Sequence, residues 1–89
     1  MNHLALPRFW YHYRQLPEAI QELADKNFEL LKNDPHHPSL HFKKVRRRDD
    51  LWSVRVGAHY RALAADKPDG IVWFWIGTHA DYDSLLREQ

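Results

Sequence analysis

The residues whose types suit chemistry lie in the second half of the chain. A basic run at residues 43–48 precedes two further arginines, Arg55 and Arg61, and the chain then presents His79 and Tyr82 near its end. Arginine binds phosphate oxygens through a fork of permanently charged donors, and histidine takes up or releases a proton near neutral pH. These residue types together suit a phosphodiester better than other common substrates.

RNA is a phosphodiester that carries its own nucleophile, the 2′-hydroxyl, so its cleavage requires neither a protein nucleophile nor a metal ion. A base must take the 2′ proton, a cation must stabilise the phosphoryl oxygens, and an acid must protonate the departing 5′ oxygen. Arg61 suits the second role and His79 suits either proton role. Tyr82 is a weaker acid–base candidate because its phenol, with a usual pKa near 10, needs neighbouring cations. The side chains expected to follow the RNA backbone are Lys43, Lys44, Arg46, Arg47 and Arg48.

Each of these residues also has a purely structural interpretation. Arg61 would be structural if it paired with the carboxylate of Asp66 or Asp81. His79 follows a strand-like segment, where a histidine can serve only as a loop or capping residue. The ring of Tyr82 would then only pack on its neighbours, and the basic run would be a solvated surface.

The composition indicates one small soluble domain that spans residues 1–89. Its four Trp, four Phe and four Tyr supply large apolar surfaces, which a small domain needs in order to bury enough area. There is no cysteine, no apolar stretch of the roughly 20 residues that cross a bilayer, and no signal-peptide pattern. We therefore expect a cytoplasmic protein without membrane contact. The histidines at 36, 37 and 41 lack a second set of ligands, so we predict no metal and no cofactor.

The charges are unevenly distributed along the chain, although 13 Lys and Arg against 12 Asp and Glu give a net charge of only +1. Residues 43–61 contain seven basic and two acidic side chains, whereas residues 17–34 contain five acids and two lysines. This asymmetry predicts one cationic face, which would attract a polyanion.

The first half of the chain has the pattern of a helix hairpin. Pro7 suits the first position of a short helix that runs to about residue 15, and Pro17 opens a second helix. In the second helix the apolar residues recur with the i, i+3, i+4 spacing of an amphipathic helix. Asp34 precedes Pro35, which disfavours the helical conformation and ends the helix there.

After Pro38 the apolar period changes from 3.6 to 2, which is typical of strands. Residues 71–76 are apolar on both faces, as in a central strand, and a turn is expected at residues 67–70. The end of the chain, residues 81–87, suits a short helical turn. The sequence therefore predicts an α+β domain in which a two-helix hairpin packs on a three- or four-stranded antiparallel sheet.

The loop at residues 57–59 decides where two arginines point. A three-residue loop places Val56 opposite Tyr60 and Arg55 opposite Arg61, so both arginines project from one face. A two-residue loop would place them on opposite faces. Like charges that face each other repel, so the paired arrangement favours a bound anion between them.

The order of these segments resembles the RelE/ParE toxin superfamily of bacterial type II toxin–antitoxin systems. The likeness covers roughly residues 7–86. Its most specific parts are the Arg-Val-Gly-x-x-Tyr-Arg block at residues 55–61 and the Ile-Gly-Thr-His-x-x-Tyr ending at residues 76–82. The resemblance, on the RelE/YafQ-like branch, implies an endoribonuclease that needs no metal, cuts messenger RNA at the ribosome and is blocked by a cognate antitoxin. Operator DNA would be bound only through the antitoxin complex.

The resemblance also implies roles for individual residues. Arg61 matches the phosphate-stabilising arginine, His79 matches the histidine used by YafQ-like members, and Tyr82 falls near the tyrosine of RelE-like members. Lys43, Lys44 and Arg55 match basic positions that contact RNA or the ribosome.

Two departures leave the target open. The superfamily usually has a strand before the helix hairpin, yet residues 1–6 have little strand character. The family also contains ParE-like poisons of DNA gyrase that share the fold without the nuclease residues. A non-catalytic gyrase inhibitor and a degenerate toxin that only binds its antitoxin are therefore the alternatives.

Overall fold

The computed structural model of the protein describes residues 2–87, which form a five-stranded sheet with helices on both faces. The elements, in chain order, are β1 (His3–Ala5), α1 (Pro7–Arg14), α2 (Glu18–Asn33), a 3₁₀ helix (Pro38–Leu40), β2 (Lys43–Val45), β3 (Arg48–Val56), β4 (Tyr60–Lys67), β5 (Gly70–Thr78) and α3 (His79–Arg87). The predicted α+β class and the N-terminal helix hairpin are confirmed.

The sheet differs from the predicted three or four antiparallel strands. Its order is β1-β5-β4-β3-β2, and β1 runs parallel to β5 while the other pairs are antiparallel. The two edge strands, β1 and β2, are only three residues long, which is too short for a period of 2 to stand out. Hydrogen bonds from Ile71 N to Asn2 O (2.8 Å) and from Leu6 N to Trp73 O (3.0 Å) extend the β1–β5 pairing at both ends.

Prolines mark the helix boundaries much as their chemistry requires. Pro7 is the first residue of α1, and Pro17 is the N-cap of α2, which therefore begins one residue after the predicted start. A proline at the start of a helix loses nothing, because the first backbone N–H groups have no partner within the helix. The helix α2 ends at Asn33, before Pro35.

The sheet separates two apolar cores. The larger core lies under the helix hairpin and contains Leu31, Val54, Val56, Ala62 and Trp73 among others. The smaller core lies on the opposite face, beneath α3. It comprises Val45, Leu51, Leu63 and Trp75, with Phe74, Tyr82, Leu85 and Leu86 packed against it. The C-terminal helix is longer than the predicted turn and begins two residues earlier, at His79.

The loop between β3 and β4 is the predicted three-residue loop. Val56 pairs with Tyr60, and Arg55 pairs with Arg61. Gly57 has a φ of +64°, a conformation that residues with a Cβ rarely adopt, and a Cβ there would lie 2.9 Å from a methyl carbon of Leu23 in α2. The loop therefore depends on glycine for its backbone conformation.

Leu40 offers a direct test of the larger core, because its side chain is 0% exposed. Leu40→Ala should lower the free energy of unfolding by about 2–5 kcal/mol, since it removes buried methyl groups and leaves a cavity. Urea unfolding measures this change. The matched control is Leu4→Ala in β1, where the side chain is 48% exposed and the expected loss is below about 1 kcal/mol. Equal losses in the two variants would contradict the assignment of the core.

Candidate active site

Arg55 and Arg61 lie side by side on the face of the sheet that carries α3. Their neighbours along the strands, Val54, Val56 and Ala62, belong to the core under the helix hairpin, so alternation turns both arginines to the other face. On β5 the residue paired with Arg61 is Gly77. Arg55 and Arg61 are direct cross-strand neighbours, and the Cβ atoms of such a pair lie about 5 Å apart. The two guanidinium groups therefore form one half-buried cationic row.

The two guanidinium groups use only part of their hydrogen-bonding capacity within the protein. Arg55 Nε donates to the Gly57 carbonyl oxygen at 3.0 Å, and Arg61 Nη1 donates to the Tyr60 carbonyl oxygen at 2.9 Å. Among residues 2–87, neither arginine has a carboxylate partner within 4.0 Å. A guanidinium has five N–H donors, so donors remain for an anion.

The structure does not pair Arg61 with either carboxylate that would make it structural. Asp66 instead accepts from Lys44 at 2.6 Å. Asp81 is the residue whose backbone N–H donates to Thr78 Oγ1 at 3.1 Å, a contact that caps the start of α3.

His79 is the first residue of α3 and follows β5 directly. Its backbone N–H donates to the carbonyl oxygen of His59 at 2.8 Å, which joins the start of α3 to the β3–β4 loop. Its side chain is 44% exposed, and Nδ1 lies 3.0 Å from Oδ2 of Asp83. The imidazole therefore lies two residues beyond Gly77, at the end of the row that carries the arginines.

Tyr82 lies between the smaller core and His79. Its ring centroid is 6.5 Å from that of Trp75 and 5.9 Å from that of His79, the second in an edge-on arrangement. The ring thus packs against the core, as the structural interpretation expected, and it also contacts the imidazole. The structure therefore brings Arg61, His79 and Tyr82 to one end of one sheet face.

Three side chains of the basic run are exposed to solvent, and the other two form ion pairs within the protein. Arg46 and Arg47 are exposed in the turn between β2 and β3, where Arg47 has a φ of +66°. Lys43 is also exposed, and it pairs with Ser53 of β3, two residues from Arg55 on the same face. Lys43 therefore lies on the arginine face of the sheet, whereas Arg46 and Arg47 lie in the turn at the opposite end of β3 from Arg55.

Lys44 and Arg48 have partners within the protein. Lys44 Nζ binds Asp66 and the Asp49 carbonyl oxygen, and it lies 4.9 Å from the centroid of the Trp52 ring. Arg48 forms a two-point hydrogen bond with Asp50, at 3.0 Å for each contact. This hydrogen bond lowers the pKa of Asp50 from its usual value.

Asp83 is the site residue that the sequence analysis missed. It stands four residues after His79 on α3, a spacing that places two side chains on the same side of a helix. That spacing was visible in the sequence, but it becomes a signal only once the helix is known to begin at His79.

Residues 2–87 contain no group of three or more His, Asp or Glu side chains arranged to hold a metal ion, and no helix that is long and apolar enough to cross a membrane. A cavity of about 420 Å³ lies between the helix hairpin and the sheet. It is on the face opposite the arginines.

A sequence model of the ParE-like toxin domain matches residues 18–84, which is most of the chain. The chain belongs to the ParE-like toxin domain family. The comparison with curated proteins gives no match. The matched segment of this toxin domain includes α2, the four strands β2–β5 and the start of α3, so it contains the paired arginines and His79.

Several toxin structures resemble the fold. A chain of the RelB–RelE antitoxin–toxin complex from Methanococcus jannaschii has a TM-score of 0.72 and 18% identity, covering 92% of this chain and 96% of that one. The isolated RelE toxin of E. coli has a TM-score of 0.64 and 14% identity, with coverages of 98% and 97%. The toxin–antitoxin complex RelBE2 of Mycobacterium tuberculosis has a TM-score of 0.67 and 18% identity, with coverages of 88% and 96%. At these identities the likeness shows the fold alone.

The facing arginines of the toxin domain should repel each other measurably. Arg61→Gln removes one of the two charges, so we expect the free energy of unfolding to rise by a few tenths to about 1 kcal/mol at low ionic strength. Urea unfolding at low and high salt measures the change. The gain should shrink in high salt, because screening weakens the repulsion in the unmodified protein.

The matched control is Arg14→Gln, which removes an exposed arginine from the last turn of α1. It should not reproduce the salt-dependent gain. A loss of stability in Arg61→Gln at both salt concentrations would instead show that Arg61 is structural.

Proposed function

We propose that this protein is the toxin of a type II toxin–antitoxin system and acts as an endoribonuclease on messenger RNA bound to the ribosome. The observation that carries the proposal is the pairing of Arg55 with Arg61 across β3 and β4, without a carboxylate partner, beside His79. Two facing cations on an open surface are unfavourable without an anion, and a backbone phosphate would supply one. His79 adds a proton-transfer group that simple phosphate binding does not require.

The proposed cleavage uses the 2′-hydroxyl of RNA as nucleophile. His79 Nε2 takes the 2′ proton, the 2′ oxygen forms a bond to the adjacent phosphorus, and the bond from phosphorus to the 5′ oxygen breaks. The 5′ oxygen leaves with its electron pair and takes a proton from the Tyr82 hydroxyl. Tyr82 then recovers a proton from solvent, and the His79 imidazolium releases the 2′ proton to solvent. The products are a 2′,3′-cyclic phosphate and a 5′-hydroxyl end.

Arg61 and Arg55 supply the electrostatic part of this mechanism. Charge builds up on the phosphoryl oxygens as the 2′ oxygen attacks, and guanidinium donors already fixed in place stabilise that charge without reorganisation. The hydrogen bonds to the Tyr60 and Gly57 carbonyl oxygens hold each guanidinium near the sheet. Arg61, directly opposite Gly77, is the closer of the two in register to the strand that leads to His79.

The exposed basic side chains would position the RNA strand. Lys43, beside Ser53 on the edge strand β2, and Arg46 and Arg47, in the turn that precedes β3, are open to solvent. Lys44 and Arg48 already bind Asp66 and Asp50, so a contact with phosphate or the ribosome would have to share or replace these ion pairs. We therefore expect the first three to contribute more to binding than the last two.

The proposed protein partner is a cognate antitoxin. Two structures that resemble this fold are antitoxin–toxin complexes, one from Methanococcus jannaschii and one from Mycobacterium tuberculosis. An antitoxin that covers the cationic face would exclude RNA from it. Contact with operator DNA would then occur through the antitoxin in the complex.

Induced expression in a bacterial host tests the nuclease proposal, with the 5′ ends of cellular RNA mapped. The unmodified protein should arrest growth and produce new 5′-hydroxyl ends inside translated frames. Arg61→Ala and His79→Ala should each reduce these ends by about 100-fold or more, because each removes stabilisation that is needed mainly in the transition state. Arg14→Ala is the control that keeps the arrest and the new ends.

The other outcomes point to other targets. Growth arrest without new 5′ ends would contradict the nuclease and would favour a gyrase inhibitor or another binding target. Absence of arrest, with soluble protein present, would favour a degenerate toxin that only binds its antitoxin.

Tyr82→Phe separates the acid role of Tyr82 from its packing role. The change removes the hydroxyl and keeps the ring that packs near Trp75 and His79. We expect the cleavage rate of purified protein on ribosome-bound messenger RNA to fall by about tenfold or more, with the urea midpoint nearly unchanged. An unchanged cleavage rate would show that Tyr82 only packs, and that the 5′ oxygen takes its proton from elsewhere.

A further inference from the structure

The contact between His79 and Asp83 has a consequence for which nitrogen of the imidazole reacts. The distance from Nδ1 to Asp83 Oδ2 is 3.0 Å, which is hydrogen-bonding distance. An ionised carboxylate can only accept a hydrogen bond. In a neutral imidazole, Nδ1 must then carry the proton, and Nε2 is left with its lone pair.

The start of α3 makes this contact geometrically favourable. Side chains of a helix lean towards its N-terminus, so a residue reaches back over the preceding turn. Asp83 therefore extends towards His79, the first residue of the helix. The cap from Thr78 Oγ1 to the Asp81 N–H fixes this first turn.

Two further contacts hold His79, one at its backbone and one at its ring. The backbone N–H of His79 is bound to the carbonyl oxygen of His59, and the ring of Tyr82 meets the imidazole edge-on at 5.9 Å. With Asp83 on Nδ1, these contacts leave Nε2 as the ring nitrogen without a protein partner among residues 2–87. A reacting hydroxyl would meet the imidazole at that atom.

We propose that Asp83 is a positioning residue, which holds His79 in the tautomer with the proton on Nδ1 so that Nε2 serves as the base. The proposal rests on the proposed ribonuclease function for its catalytic consequence, whereas the tautomer itself is a property of the folded protein. When Nε2 takes the 2′ proton, the imidazolium keeps its hydrogen bond to Asp83. The carboxylate then also stabilises the new positive charge.

A purely structural role for Asp83 leads to different expectations. An exposed pair four residues apart on a helix contributes only about 0.3–0.5 kcal/mol to stability. If the pair were only structural, the tautomer of His79 would have no effect on the reaction. Stability alone therefore does not test the proposal, and the tautomer and the kinetics do.

The first measurement is the ¹⁵N NMR spectrum of the imidazole groups in the complete protein, about two pH units above the usual histidine pKa of about 6.5. The chemical shifts of the two ring nitrogens identify which one carries the proton. We expect the proton of His79 on Nδ1 in the unmodified protein. In Asp83→Ala it should move largely to Nε2, the tautomer that a free histidine side chain prefers.

The second measurement is the cleavage of messenger RNA in purified ribosome complexes by the same purified proteins. We expect Asp83→Ala to lower kcat by about tenfold or more with little change in KM, because the wrong tautomer presents an N–H to the 2′-hydroxyl. Asp83→Glu keeps a carboxylate acceptor and should recover part of the lost kcat. The matched control is Asp81→Ala, which removes an exposed carboxylate from the same helix and should change neither the tautomer nor kcat.

The outcomes separate this inference from the proposed function. A proton on Nε2 of His79 in the unmodified protein would overturn the inference whatever the cleavage result. A tautomer change in Asp83→Ala with unchanged kcat would overturn its catalytic part. If the unmodified protein cleaves no RNA, the proposed function fails, and the NMR spectra still decide whether Asp83 sets the tautomer.

Discussion

The pairing register of β3 and β4 is the constraint on which the rest of the site depends. A loop of three residues fixes this register and places Arg55 opposite Arg61. A shift by one residue would turn one arginine into the core under the helix hairpin, because side chains alternate along a strand. The apolar residues on that hidden face therefore hold the arginines in place as effectively as any direct contact. In this register, the alternation of side chains along β3 and β4 places the apolar residues on one face and the arginines on the other.

The remaining site residues follow from the way β5 ends. Gly77 lies opposite Arg61, and a Cβ at this position would lie 2.6 Å from a ring carbon of Trp75. Trp75 therefore covers the position beside Arg61, and α3 begins only two residues later. This close succession brings a histidine, a tyrosine and an aspartate of one short helix to the arginine row. Cationic groups that repel each other and a half-exposed acid–base group add little to stability, which is typical of sites kept for function.

The sequence predicted those features that depend on local rules. Prolines and the 3.6-residue period gave the helix hairpin, and the glycine loop gave the arginine register. The strand β1 could not be predicted, because its three residues become a strand only by pairing with β5, about 70 positions away. The ion pair of Lys44 with Asp66 is likewise long-range. Asp83 was missed for a different reason: its partner is local, but the helix that joins the two was expected to begin later. The catalytic roles of Arg61, His79 and Tyr82 remain predictions.

The helix α2 contacts the hairpin of β3 and β4 at two places, on the face of the sheet opposite the arginines. Leu23 packs against Gly57, where a Cβ would lie 2.9 Å from a methyl carbon of Leu23, and Asn27 Nδ2 donates to the Arg55 carbonyl oxygen at 3.4 Å. The packing on one face of the sheet therefore affects the backbone that carries the arginines of the other face. A displacement of α2 would therefore move the backbone of Arg55, although α2 lies on the opposite face of the sheet from the Arg55 side chain. The orientation of Arg55 thus depends on a helix that lies on the opposite face of the sheet.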